Sequence, residues 1–237
     1  MHRTRYHFLE ETTSTNDEAR NPRYGHGDAI CAERQTAGRG QRGHTWSSEE
    51  GRNLMFSLVW EPRFLPVSEQ FLLSEAVALA LTDLFGGYGI DARIKWTNDI
   101  YAGDRKLVGI LIEHNLTGDR LSRTIVGIGV NVNQTRFDPS LPNPSSMCLE
   151  TGCEYDRQGC CTAWATVWLP GTNNSRKGIG RRYRPTTGGG CTGSESGIGT
   201  VIPTAGQWRP CCGACALRES YCWSCPTAVP KGTCSGR

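Results

Sequence analysis

Up to Thr151 the chain alternates short apolar runs with polar turns, and one longer stretch has a helical stripe. Arg5 to Glu10 carries the first apolar run and predicts a strand. Thr13, Ser14 or Thr15 can then cap a helix running towards Arg20. Asp17 and Glu18 fall in its first turn, where acidic side chains suit the positive end of the helix dipole. Pro22 to Gly27 predicts a turn and Ala29 to Arg34 a second strand. Leu54-Met55-Phe56-Ser57-Leu58-Val59-Trp60 predicts a third, stopped by Pro62 and Pro66. Ser68 to about Tyr88 is the clearest helix, with Phe71, Leu72, Glu75, Ala76, Leu79, Ala80, Leu84 and Phe85 at helical spacing and Gly86-Gly87 as its end. Ala92 to Trp96 predicts a strand, and Ile100 to His114 a hairpin turning at Ala102-Gly103-Asp104. After a turn at Thr117-Gly118-Asp119, Ser122 to Val132 predicts a long β-branched central strand. Strands dominate and helices lie against them, so the expected class is α+β with a mixed β-sheet.

The pattern stops near Gly152. Residues 1–152 hold 30 Leu, Ile and Val; residues 153–237 hold 8, with no Phe and no Met. So little apolar surface does not offset the entropy of ordering the chain. The expected organisation is therefore a folded domain over 1–152 and an irregular Cys/Gly/Pro-rich tail over 153–237. Glu154-Tyr155-Asp156-Arg157 could start a helix, but nothing continues it, and the tail after about Gln158 has the texture of out-of-frame translation. Ten of the 12 cysteines lie in the tail. Cys212, Cys215, Cys222 and Cys225 form two CxxC pairs at a spacing shorter than a zinc ribbon's, and no metal site is assigned to them.

Charge changes the picture a little. Residues 1–152 carry 16 Lys/Arg and 19 Asp/Glu, a net −3, while the tail carries +6. A slightly acidic folded half argues against a nucleic-acid partner. No apolar run is long enough to span a membrane, no signal-peptide core follows the N-terminus, and only Cys31 and Cys148 precede residue 152. The expected setting is cytoplasmic.

The candidate chemistry is concentrated in Glu33-Arg34-Gln35-Thr36-Ala37-Gly38-Arg39-Gly40-Gln41-Arg42-Gly43-His44-Thr45-Trp46. Glycines let backbone N–H groups approach an anion, the arginines add planar forks suited to phosphate or carboxylate, and Trp46 offers a flat face to a ring. Alone, such a loop reads equally well as a solvated Gly/Arg turn. Three further stretches accompany it: Thr13-Ser14-Thr15-Asn16, Lys95-Trp96-Thr97-Asn98-Asp99 with Asp104-Arg105-Lys106-Leu107-Val108-Gly109-Ile110-Leu111, and Gly127-Ile128-Gly129-Val130-Asn131-Val132-Asn133. In this order, from about Tyr6 to about Thr151, they resemble the catalytic domain of biotin–protein ligases. The resemblance is to the short, monofunctional kind, because nothing before Tyr6 could form a helix-turn-helix. It implies a core similar to the class II aminoacyl-tRNA synthetases.

It also implies an ATP-dependent reaction in two steps. Biotin's carboxylate attacks the α-phosphate of ATP, giving biotinyl-5′-AMP and pyrophosphate. A lysine of a biotin carboxyl carrier domain, usually that of acetyl-CoA carboxylase, then takes the biotinyl group. ATP and Mg²⁺ are the implied cofactors. Carried over residue by residue, the biotin contacts are Ser14, Thr15, Asn16, Gln35, Arg39, Gly40, Gln41 and Lys106. The nucleotide contacts are Arg42, Trp46, Gly127, Gly129 and Asn131, and the catalytic set is Arg39, Lys95, Asp99 and Lys106. Many members carry arginine where this chain has Gln41, which brings no positive charge. Trp96 is expected in the core and Asn98 at the turn. Ser14, Thr15 and Asn16 also suit an ordinary helix cap. A lipoate ligase of the same superfamily and a non-catalytic biotin-binding or truncated product are the rival readings.

Overall fold

The structure, a computed structural model, describes residues 4–161; the tail cysteine pairs and most of the region 153–237 lie outside the described residues. Seven strands form one sheet: β1 (Arg5–Thr12), β2 (Asp28–Gln35), β3 (Leu54–Trp60), β4 (Ala92–Lys95), β5 (Asp99–Ala102), β6 (Arg105–Thr117) and β7 (Arg120–Val130). Their spatial order is β1-β2-β3-β7-β6-β5-β4. Only β1 and β2 pair in parallel, across a short crossover that holds α1 (Thr15–Glu18). Every other pairing is antiparallel, so the sheet is mixed and the class α+β, as expected. Asp28, at the head of β2, is buried. It accepts both forks of Arg5 (2.6 and 2.9 Å) and the Gly25 N–H (2.7 Å), which ties the parallel edge together.

Helix α2 (Phe71–Gly87) covers one face of the sheet. It starts later than the apolar pattern suggests, since Val67–Glu69 form a separate 3₁₀ turn after Pro66. Its buried stripe is Leu73, Val77, Ala78, Leu81, Leu84 and Phe85 rather than the expected Phe71–Leu72–Ala76–Leu79–Ala80 side. Apolar residues surround this helix, so spacing alone leaves its rotation open, and the packing partner decides. The expected stop at Gly86-Gly87 is also corrected: both lie inside the helix. Gly89 is the residue at φ 75°. Its N–H bonds the Gly86 carbonyl and the Ile90 N–H bonds the Phe85 carbonyl, each at 3.0 Å, which closes the last turn by a Schellman motif.

Beneath α2, Leu54, Phe56, Leu58, Ile110, Val126, Ile128 and Val130 pack into one cluster with the helix. A third helix, α3 (Met147–Thr151), was not anticipated from periodicity because it is barely more than a turn. Ser146 Oγ caps it by accepting the Leu149 N–H, and Gly152 ends it at φ 75°. The packed domain continues past residue 152. Tyr155 exchanges two hydrogen bonds with the Asn133 side chain, Arg157 reaches Glu33 at 2.7 Å, and Cys160 and Cys161 join the main core.

Candidate functional site

Strand register builds a bare floor on the face opposite α2. Met55, Gly129, Gly109 and Asp99 lie in one row across β3, β7, β6 and β5, and Ser57, Gly127 and Leu111 lie in another. The Trp46 indole rests across the first row. A Cβ added at Gly129 would come within 2.4 Å of Trp46 Cε2, and one at Gly109 within 2.7 Å of Cζ3. At Gly127 it would come within 2.0 Å of Asn16 Oδ1. These glycines sit in strand interiors because other side chains occupy the space where their own would be. The result is a cavity of about 380 Å³.

One end of the cavity is polar and uncharged. The expected capping role of Ser14 is not seen: its position is the N-cap of α1, but its side chain makes no cap bond. Ser14, Thr15 and Asn16 instead face inward and are almost fully buried. Gln35, at the end of β2, accepts the Thr15 N–H at 2.7 Å and the Thr15 hydroxyl at 3.1 Å. Ser57 Oγ lies 2.8 Å from Thr15 Oγ1 and donates to Asn16 Oδ1 at 2.7 Å. The parallel pair β1–β2 delivers both segments to the same place, since its strands end at Thr12 and Gln35.

The other end is cationic. Residues 38–46 form a closed hairpin rather than an open Gly/Arg loop. The Trp46 N–H bonds Gly38 O at 2.9 Å, the Gly40 N–H bonds His44 O at 2.7 Å, and Arg39 bridges Thr45. Arg42 turns the tip at φ 53°. Arg39 Nη2 contacts Asp17 Oδ1 at 2.8 Å and Glu113 Oε2 at 2.7 Å. Lys106 Nζ lies 2.8 Å from Asp99 Oδ1 and 5.8 Å from the centre of a Trp46 ring. The Lys106 backbone is fixed on its outer side: its N–H bonds Asn143 O at 2.7 Å and its carbonyl accepts the Ser145 N–H at 2.9 Å. The wall therefore carries Arg39, Arg42 and Lys106 against one carboxylate, Asp99. Buried Arg39 Nε and Trp46 Nε1 have no hydrogen-bond partner among the described residues. Unpaired buried donors are costly and mark places where an acceptor is needed.

The model of the biotin/lipoate A/B protein ligase family matches residues 7–131, more than half of the chain. The chain belongs to this family. The bifunctional ligase/repressor BirA of Bacillus subtilis is 37% identical over 159 residues, which cover 65% of this chain and 49% of that protein. The biotin–acetyl-CoA-carboxylase ligase of Paracoccus denitrificans is 36% identical over 158 residues, 63% of this chain and 65% of that protein. This family member thus spans about half the length of the bifunctional relatives it matches. The solved biotin protein ligase from Aquifex aeolicus in complex with biotin and ATP has a TM-score of 0.60 at 30% identity, over 73% of this chain and 72% of that one.

Set against the family's expected residues, the cavity gathers most and leaves out two. Ser14, Thr15, Asn16, Gln35, Arg39, Gly40, Gln41, Arg42, Trp46, Asp99, Lys106, Gly127 and Gly129 all line it. Lys95 does not: it is exposed, and its ammonium turns to Tyr101, 3.1 Å from the hydroxyl and 4.5 Å from the ring centre. Asn131 does not either. It is buried behind the Lys106 strand, where its amide donates to Ser145 O at 2.9 Å. Trp96 is not a core residue; it is 74% exposed at the cavity rim, 4.8 Å from the Phe71 ring. Asn98 does fix its turn, donating to Ile110 O at 2.9 Å and accepting the Ile110 N–H at the same distance. Sequence reasoning missed Thr97, which lines the cavity beside Gln41, and Glu113, which stands just behind the wall. Glu113 carried one signal: it is the only acid of β6 and directly follows the apolar run Leu107–Ile112.

No helix among the described residues is long and apolar enough to cross a membrane.

Proposed function

We propose that this chain is an ATP-dependent biotin–protein ligase. It makes biotinyl-5′-AMP and passes the biotinyl group to a lysine of a biotin carboxyl carrier domain, such as that of acetyl-CoA carboxylase, in the cytoplasm. The observation that carries this reading is the two-ended cavity. Uncharged donors and acceptors at Ser14, Thr15, Asn16 and Gln35 suit a buried ureido ring, which has two N–H donors and one carbonyl and no charge. Next to them, Arg39, Arg42 and Lys106 suit a carboxylate and a phosphate chain. The Aquifex aeolicus relative was solved with ligands of both kinds, biotin and ATP.

In this reading Lys106 draws the biotin carboxylate and the α-phosphate together, and its charge offsets the charge developing on the phosphate as the new bond forms. Arg39 holds the joined carboxylate and phosphate. The face of Trp46 turned away from Gly109 and Gly129 offers a platform for adenine, worth ~1–3 kcal/mol by stacking. Asp99 orients Lys106 in the first step and the incoming amine in the second. Among the described residues no group of three His, Cys, Asp or Glu gathers as a metal cage. Asp99, the one carboxylate in the cavity lining, would hold Mg²⁺ together with the ATP phosphates, and the ion would supply charge neutralisation there.

The test is Lys106→Met, which keeps the apolar stem and removes the charge. Pyrophosphate release from biotin and ATP should fall ~10²–10³-fold, while carrier labelling from supplied biotinyl-5′-AMP should fall much less. A folded variant that forms adenylate at the wild-type rate would overturn the role given to Lys106. Competition by lipoate for adenylate formation separates biotin from the related acid.

A further inference from the structure

One carboxylate links the two ends of the cavity from behind. Glu113 lies on β6 beyond Leu111 and is not part of the wall. Its Oε2 accepts from Arg39 Nη2 at 2.7 Å and from Asn16 Nδ2 at 2.9 Å, and its Oε1 accepts from Arg20 Nη2 at 2.7 Å. Asp17 approaches the same Arg39 Nη2. One end of the guanidinium is thus closed by two carboxylates, while its buried Nε–H has no partner among the described residues. A planar fork anchored at one end presents its other donors in a fixed direction.

We propose that Glu113 is a positioning residue: it aims Arg39 into the cavity and couples that aim to Asn16 at the uncharged end. The proposal rests on the biotin and ATP reading of the cavity. Two observations carry it. First, the hairpin 38–46 has few apolar anchors besides Trp46, and a free arginine on such a loop loses much rotamer freedom on binding. The bond to Glu113 removes that freedom in advance, which is how preorganisation raises affinity. Second, both Asn16 amide hydrogens are engaged: Nδ2 donates to Leu111 O and Glu113 Oε2, while Oδ1 accepts from Ser57 and keeps one lone pair for a ligand donor. A ligand that shifts Asn16 therefore acts on the same carboxylate oxygen that holds Arg39. Glu113 is outside the cavity lining, so its effect passes through Arg39 and should fall more on binding than on the chemical step.

The experiment compares Glu113→Gln, which keeps shape and removes charge, with wild type, alone and in an Arg39→Ala background. In the ligand-free protein, hydrogen exchange over residues 38–46 should rise about 10–100-fold, the loss expected for one charge-assisted hydrogen bond. Biotin affinity by calorimetry should weaken by a similar factor. Pyrophosphate release at saturating biotin should fall by a smaller factor than biotin affinity, because Lys106 and Asp99 are untouched and the effect passes only through Arg39. With Arg39→Ala, the same substitution should weaken biotin binding less than about twofold, since the two residues act as one unit. Asp17→Asn, on the more exposed side of Arg39, gives a smaller rise in loop exchange and serves if Glu113→Gln does not fold. Wild-type exchange in the hairpin, or an equal loss of affinity in both backgrounds, overturns the proposal. Raised exchange in a protein that binds no biotin at all would instead uphold the hold on Arg39 and sink the biotin reading.

Discussion

Leu54, Phe56 and Leu58 share a strand with Met55 and Ser57, yet the two sets belong to different structures. The first set faces α2 with Ile110, Val126, Ile128 and Val130, in a core of branched and aromatic side chains. The second set faces the cavity with Gly109, Gly127 and Gly129, where bulk has been removed and Asn16 and Trp46 fill the gap. Side chains alternate across a sheet, so neighbouring residues of β3 and β7 serve different purposes: one face carries the main core, and the other carries the cavity beside a smaller apolar cluster of Ile30, Val59 and Ile125. A slip of one residue in the pairing would exchange them.

The largest expected effect tests the apolar face. Phe56→Ala removes a ring with no exposed surface and should cost ~3–5 kcal/mol in urea unfolding. Biotin affinity of the molecules that remain folded should hardly change. Gly129→Ala makes the opposite test. Its methyl collides with the Trp46 ring, so the indole must lift from the floor. A shift of that order costs ~10²-fold in pyrophosphate release, with little change in the melting temperature. If Gly129→Ala mainly lowers stability, the division between the two faces is not real. The smallest effect is on pH. Burial pushes the Glu113 carboxyl up, but hydrogen bonds from Arg39 and Asn16 and the charges of Arg39 and Arg20 outweigh it, so the folded-state pKa is lowered. Its contribution is complete above the unfolded-state value of about 4.3 and is lost as pH falls through the lower folded value. Asp17 on the same guanidinium is the other carboxylate of this network. Acidification should therefore loosen residues 38–46, seen by hydrogen exchange, before the α2 face unfolds. Simultaneous loss of both would show that the faces are one cooperative unit.

Much of this division was legible in the chain itself. The apolar run of β3 has the same bounds in sequence and structure, and the order of the four motifs placed the cavity residues on one site. What sequence did not disclose depends on direction rather than identity. Trp96 looks like a core residue until its place at an outer strand's end exposes it. Lys95 sits opposite Asp99 in the β4–β5 register, and only the nearby Tyr101 ring shows why its ammonium turns away. Asn131 lies within a signature stretch but follows the last residue of β7, where its amide meets Ser145 instead of the cavity. Glu113 was invisible as a partner because its contacts with Arg39 and Asn16 span 74 and 97 residues. The facing of α2 was lost for the reverse reason: apolar residues on all sides give no preferred direction.

The strand order also has a consequence during synthesis. β7 is the last strand of the sheet to be made, yet it lies in the middle, between β3 and β6. Until residue 130 has left the ribosome, β3 has β2 on one side and an unpaired edge on the other, carrying Leu54, Phe56 and Leu58. An apolar edge waiting for a distant partner is slow to close and prone to association with other chains. Gly127 and Gly129 arrive with that closing strand. The nascent chain therefore completes the cavity floor and closes that edge in the same event.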